Sequence, residues 1–144
     1  MKRFGIGILK CMLVLSAGVY TMAAIGADDG MPATQQTGQV VYLSGGIGLD
    51  QSQAIKSAMH DYSLSLTFVG RTGNGNEYLS DIPVIITDSS GNTVLETAST
   101  GPYMLANLPR GRYMIQATYM GKTEQRTVYI SPSQHARQVF SWVM

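Results

Sequence analysis

Two histidines and one cysteine are the whole supply of imidazole and thiol in this 144-residue chain. A hydrolase built on them needs a nucleophile and a base within hydrogen-bond reach, with the base oriented by a third group. His60 and His135 stand 75 positions apart, outside any H-x-H or H-E-x-x-H pattern, and no G-x-S-x-G is present. His60 closes a helical stretch, where an imidazolium suits the negative end of the helix dipole. His135 falls in a loop. Cys11 lies in the apolar N-terminal segment, beside Lys10 rather than in a lipoprotein-like acceptor context. The sequence therefore predicts no catalytic residue, no metal site and no cofactor, and a chain that is not an enzyme.

Methionine is the other donor. Met104, Met114 and Met120 fall on predicted strands, with Met104 and Met114 on the face opposite Tyr103 and Tyr113. On neighbouring strands they would form a thioether stripe, and soft sulfur suits Cu(I). The competing reading is that methionine fills irregular packing. It is favoured because no Met-x-x-Met or Met/His cluster accompanies the stripe. A periplasmic copper or small-ligand protein is the alternative this leaves. Arg110 and Arg112 flank Gly111 at one corner and are placed to dock an acidic partner, although a solvated turn explains them as well. The glycines of Ser44 to Gly48 precede a helix and offer an anion cradle, without the lysine and Ser/Thr of a phosphate loop.

These side chains need elements to hold them. Met1-Lys2-Arg3, the apolar run to Ala24 and the small residues near Ala27 have the order of a secretory signal peptide spanning residues 1–27. Its uninterrupted part, Cys11 to Ala27, is 17 residues, short of the ~20 that a spanning helix needs. Cleavage would remove Lys2, Arg3 and Lys10 from ten basic residues, leaving seven against nine acidic ones, net −2, in 117 residues. That is one domain. It has no basic stripe for nucleic acid, no polybasic segment for a membrane surface and no thiol for a disulfide. The expected location is periplasmic or secreted.

Residues 28–39 are polar and read as a flexible leader. Residues 40–62 form an arm and a short helix. Val40 to Leu43 is a short apolar run that reads as a strand or an extended arm, and Asp50 is placed to cap a helix reaching Tyr62. Ala54, Ile55, Ala58, Met59 and Tyr62 make its apolar stripe. From residue 63 to 144 alternation takes over: Leu64, Leu66 and Phe68; Ile82, Val84 and Ile86; Tyr113, Ile115, Ala117 and Tyr119; Phe140 and Trp142. Gly70 to Glu77 reads as a loop, and Asp88 to Gly91 as a type I turn. Pro83 places its strand at a sheet edge, or itself at an outward or entry position of the strand. Seven runs separated by turn signals predict an all-β, seven-strand antiparallel β-sandwich, transthyretin-like or Ig-like, with a short N-terminal helix.

Asp81-Ile82-Pro83-Val84, the turn at Gly91, Gly101-Pro102-Tyr103, Leu108-Pro109-Arg110-Gly111-Arg112-Tyr113 and the hairpin at Gly121 together resemble the carboxypeptidase regulatory-like domain, a transthyretin-like sandwich. The resemblance spans about Leu64 to Ile130. It implies a non-catalytic module of the kind that accompanies peptidases, outer-membrane transporters or adhesins, here as a standalone exported member of proteobacterial type. The corner has its own physical reading. Tyr113 follows Pro109 by four residues, so its hydroxyl can return to the corner backbone as a tyrosine corner does. Pro109, Gly111 and Tyr113 are thus structural residues. Binding or scaffolding through protein contacts in the cell envelope is the expected work, with Met104, Met114, Met120, Arg110 and Arg112 as the candidate surface.

Overall fold

A computed structural model describes residues 30–144; the signal-peptide reading and Cys11 lie outside the described residues. Chain order is β1 (Gln35–Thr37), β2 (Val40–Gly45), α1 (Leu49–Ala58), a 3-10 turn (Met59–Asp61), β3 (Leu64–Thr72), β4 (Gly75–Tyr78), β5 (Ile82–Asp88), β6 (Thr93–Ser99), β7 (Tyr103–Asn107), β8 (Gly111–Tyr119), β9 (Lys122–Ile130) and β10 (Ala136–Val143). They form two packed sheets. One is ordered β1-β2-β7-β3-β10 with β4 also on β3; the other is β6-β5-β8-β9. The chain is an all-β sandwich with one short helix.

The alternating residues meet between the sheets as expected. Leu64, Leu66 and Phe68 of β3, Ile82, Val84 and Ile86 of β5, Ile115 and Ala117 of β8 and Phe140 of β10 are all fully buried in one cluster. Each of these except the small Ala117 contributes about 1.5–3 kcal/mol by leaving water. The helix lies outside this core, on the far face of the first sheet, where Ile55 and Met59 pack on Leu43, Tyr103 and Leu105. A ten-residue helix is marginal alone, and this second cluster is what fixes it.

Several local expectations are corrected. The sandwich begins well before residue 63: β2 pairs along β7 from Val41↔Asn107 to Gly45↔Tyr103, so of the two readings of Val40 to Leu43 the strand holds, and it is internal to the sheet. Part of the polar leader, Gln35–Thr37, pairs with β2. Gly70 to Glu77 is a hairpin rather than a loop. The Thr72 hydroxyl donates to the Gly75 carbonyl and accepts from the Asn74 N–H, which ties the turn and adds β4. Eight strands, not seven, therefore follow Ser63. Asp50 sits inside the first helical turn; Gly48 is the N-cap, without a side-chain cap bond.

The pairing is not wholly antiparallel, because β10 runs parallel to β3 from Ala136↔Leu64 to Val143↔Arg71. The cause is the loop after Ile130. It carries the chain from the second sheet across to the first instead of turning back, and Ala136 N–H lands on the Ser63 carbonyl at 2.9 Å. Pro83 takes the second of its two expected places: β5 is internal, and pairing to β8 starts only at Val84.

Candidate functional site

The corner is built as the sequence implies. Gly111 at φ 151° occupies backbone space that favours glycine. It turns β8 so that the Tyr113 ring is buried, and its hydroxyl donates to the Pro109 carbonyl at 2.7 Å. Burial, then the Asp88 carboxylate, raises the Tyr113 pKa above the usual tyrosine range. Asp88 is itself engaged, with Oδ1 accepting from Ser90 and Asn92 N–H at 2.9 and 3.0 Å. These contacts hold the corner.

The methionine stripe does not form. β7 and β8 belong to different sheets. Met104 is fully buried in the core, Met114 is 40 % exposed on the outside of the other sheet, and Met120 is 83 % exposed at the β8–β9 turn. Tyr103 and Tyr113, read as sharing a face, are also parted: Tyr103 lies under the helix and Tyr113 between the sheets. Alternation is legible within each strand; sheet membership is not. Among the described residues, no group of three or more His, Cys, Asp or Glu is placed to hold a metal. The glycine cradle before α1 is filled from within, as Gln51 Oε1 accepts from Gly46 N–H at 2.7 Å.

His135 is no free loop residue. Its Nδ1 lies 2.6 Å from the Tyr62 carbonyl and its Nε2 lies 3.0 Å from Ser65 Oγ. A carbonyl only accepts, so Nδ1 carries the hydrogen and Nε2 takes the serine proton's hydrogen bond. A serine, a base and an orienting group are thus together, as nucleophilic catalysis requires. Ser65, however, is 0 % exposed, so its oxygen faces the imidazole and not solvent. The contact latches the loop before β10 to the start of β3. Nothing in the sequence spacing pointed to it, because the parallel pairing that brings residues 65 and 135 together was not legible.

The Arg110 and Arg112 pair diverges. Arg112 lies on the outer face of β8 opposite Tyr129. Arg110 enters a cleft of about 440 Å³ at the end of the sandwich, between the Met59–Asp61 turn, the β7–β8 corner and the loop from Ser131 to His135. On the helix-bearing face, Tyr103 packs on Tyr78, ring centroids 5.7 Å apart, with Lys56 Nζ 5.7 Å from its ring centre. Burial and a hydrogen bond with Tyr78 push the Tyr103 pKa up to about 12.

The feature that stands out is the edge formed by β10. Ala136 and Met144 N–H groups bond the Ser63 and Arg71 carbonyls, both at 2.9 Å. In a parallel ladder every second residue bonds the neighbour, so Gln138, Phe140 and Trp142 do the same. Arg137, Val139, Ser141 and Val143 then direct N–H and C=O away from β3, and β10 ends its sheet. Val139 is 49 % and Val143 70 % exposed. This eight-residue strand has no lysine, proline or bulge, and its single charge, Arg137, stands at its start rather than along it, although charges, prolines and bulges normally blunt an edge. The other long edges carry them. β9 presents Lys122, Glu124 and Arg126. On β6, Pro83 cannot donate, so Pro83 and Ala98 are a non-bonded pair. Val94, Glu96 and Ala98 then face outward, with a charge at the midpoint and a register shift alongside at Ile86/Thr87.

No family model and no curated protein matches the chain. Among solved structures, the crystal structure titled S.CueP aligns with 52 % of this chain and 57 % of its own, at 18 % identity and a TM-score of 0.39. The chain thus spans somewhat over half of that protein's length, and a likeness of this size carries no functional argument. No helix among the described residues is long and apolar enough to cross a membrane.

Proposed function

We propose that this chain is a non-catalytic, exported binding module that takes an extended segment of a partner protein along β10. The unprotected edge carries the reading. Four outward-facing residues offer paired backbone donors and acceptors, and the exposed Val139 and Val143 supply apolar contact on alternate positions. This is the arrangement β-strand addition uses: main-chain bonds give affinity and alternate side chains give specificity. Export to the periplasm or beyond is supported by the N-terminal sequence. Membership of the carboxypeptidase regulatory-like family is part of the same proposal, supported by the places its motif residues take. Gly91 and Gly121 fall in turns with positive φ, Tyr103 opens β7, and Pro109 to Tyr113 forms the corner.

Site-specific photocrosslinking in the envelope tests it. A crosslinking residue at position 141 of β10 should give discrete protein adducts that Val139→Lys abolishes, while one at position 116, on the bare face of β8, should give none of them. Equal adducts from both positions, or adducts indifferent to Val139→Lys, would overturn the edge as the binding surface.

A further inference from the structure

We infer that the cleft at the foot of β10 receives the C-terminal carboxylate of the bound segment, an inference that rests on the edge reading above. Direction comes first. A guest strand pairs more favourably antiparallel than parallel, and an antiparallel guest on β10 runs toward Ala136. Past Arg137 its path meets the loop from Ser131 to His135, which is closed on itself by the Ser131↔Gln134 bridge and pinned by His135 to Ser65 and Tyr62. That loop is one wall of the cleft. The guest chain therefore has to end or turn there.

The chemistry of the lining favours an ending. Arg110 brings a guanidinium that makes no ion pair among the described residues. Asn107 uses its Oδ1 to accept from Ser63 N–H at 2.8 Å, which leaves its amide N–H groups as donors. The cleft's single carboxylate, Asp61, lies at its rim with a side chain 69 % exposed to solvent. Both nitrogens of His135 are occupied, so it walls the cleft and ligates nothing. What remains unmatched is a cation and amide donors, and their complement is an anion with two acceptor oxygens. Leu108 and Ile130, both buried, lie beneath them and offer an apolar floor for the last side chain of the guest.

The test uses fluorescein-labelled hexapeptide pools alternating threonine and valine, with a randomised last residue, ending in either a free carboxylate or a carboxamide. Anisotropy titration of the residue 28–144 protein should show the acid pool binding about ten-fold or more tighter, as a charge-assisted hydrogen-bonded pair implies. Arg110→Gln should bring the acid pool down to the amide's affinity and leave the amide unchanged. If the two pools bind equally and Val139→Lys abolishes both, the carboxylate site is overturned while the edge stands. Acid-pool binding that survives Val139→Lys but falls with Arg110→Gln keeps the carboxylate site and removes the edge. If neither pool binds, both readings fall.

Discussion

The sandwich has two seams where its sheets meet side by side, and they are closed by different means. Along β2 and β6 the closure is main chain and hydroxyl. Ser44 Oγ and Thr100 Oγ1 are 3.2 Å apart, Thr100 N–H donates to Ser44 Oγ at 3.1 Å, and Thr100 Oγ1 donates to the Ser44 carbonyl at 3.2 Å. Gly101 lies so near Gly45 that any Cβ would collide with the Gly45 carbonyl. Along β9 and β10 the closure is made by side chains, one of them reaching a main-chain carbonyl. Trp142 Nε1–H donates to the Lys122 carbonyl at 2.9 Å, and Arg126 covers the Phe140 ring at 5.1 Å from its centre. A seam closed by backbone contact leaves no room for a guest. A seam closed by side chains can keep the core dry while its strand edge stays free.

The contrast can be broken from either side. Gly101→Ala puts a methyl into the first seam and should cost about 2–3 kcal/mol of stability, as overpacking against rigid backbone does. Urea unfolding would measure it, and a loss within experimental error would show that the close approach is not what shuts that seam. Trp142→Phe keeps most of the apolar area of the second seam and removes one hydrogen bond; about 1 kcal/mol is expected in the same experiment. A loss as large as that of Gly101→Ala would erase the distinction. Arg126→Met retains an unbranched stem over Phe140 but not the cation, and about 0.5–1 kcal/mol should go, the value of a surface cation–π contact. The smallest effect is nil at neutral pH and concerns Tyr103, whose ring abuts Gly46 beside the first seam. Its folded pKa is raised to about 12 from 10.0, by burial first and the Tyr78 hydrogen bond second. The protonated phenol is thus favoured in the folded state, and its contribution is complete below pH 10 and lost as pH rises through 12. Chemical denaturation at successive pH values should show this alkaline decline, and Tyr103→Phe should reduce it, leaving the part due to Tyr113, whose pKa is also raised.

Most of the architecture was legible because alternation has a period of two, and a strand with one buried face must show it. Tyr113 with Ile115 and Ala117, or Phe140 with Trp142, could be assigned inward on that ground alone. Gly101-Pro102 and Leu108-Pro109 marked their breaks for equally local reasons. What alternation does not carry is which sheet a strand joins. Met104 and Met114 each lie correctly on a face of their own strand, yet the faces belong to different layers, and the proposed donor stripe dissolved for that reason. The edge at β10 was hidden in the same way: whether residues 136–143 return antiparallel to β9 or cross to lie parallel to β3 depends on the loop path, and Ser131-Pro132-Ser133 is compatible with both. Gly70 to Glu77 shows the opposite error. Three glycines suggested a structureless loop, but a hydroxyl at Thr72 sufficed to organise a tight hairpin.

The partnership of β10 with β3 also bears on how the molecule is made. The strands sit 72 positions apart at Ala136 and Leu64, and contacts that distant form slowly, since the intervening chain must be gathered before they reward it. Until residues 136–143 have emerged during synthesis, β3 has β7 and β4 on one side but no partner on the other, and Phe68 lacks the ring it stacks on at 5.7 Å. Closure of the core therefore waits on the last strand of the chain to be made.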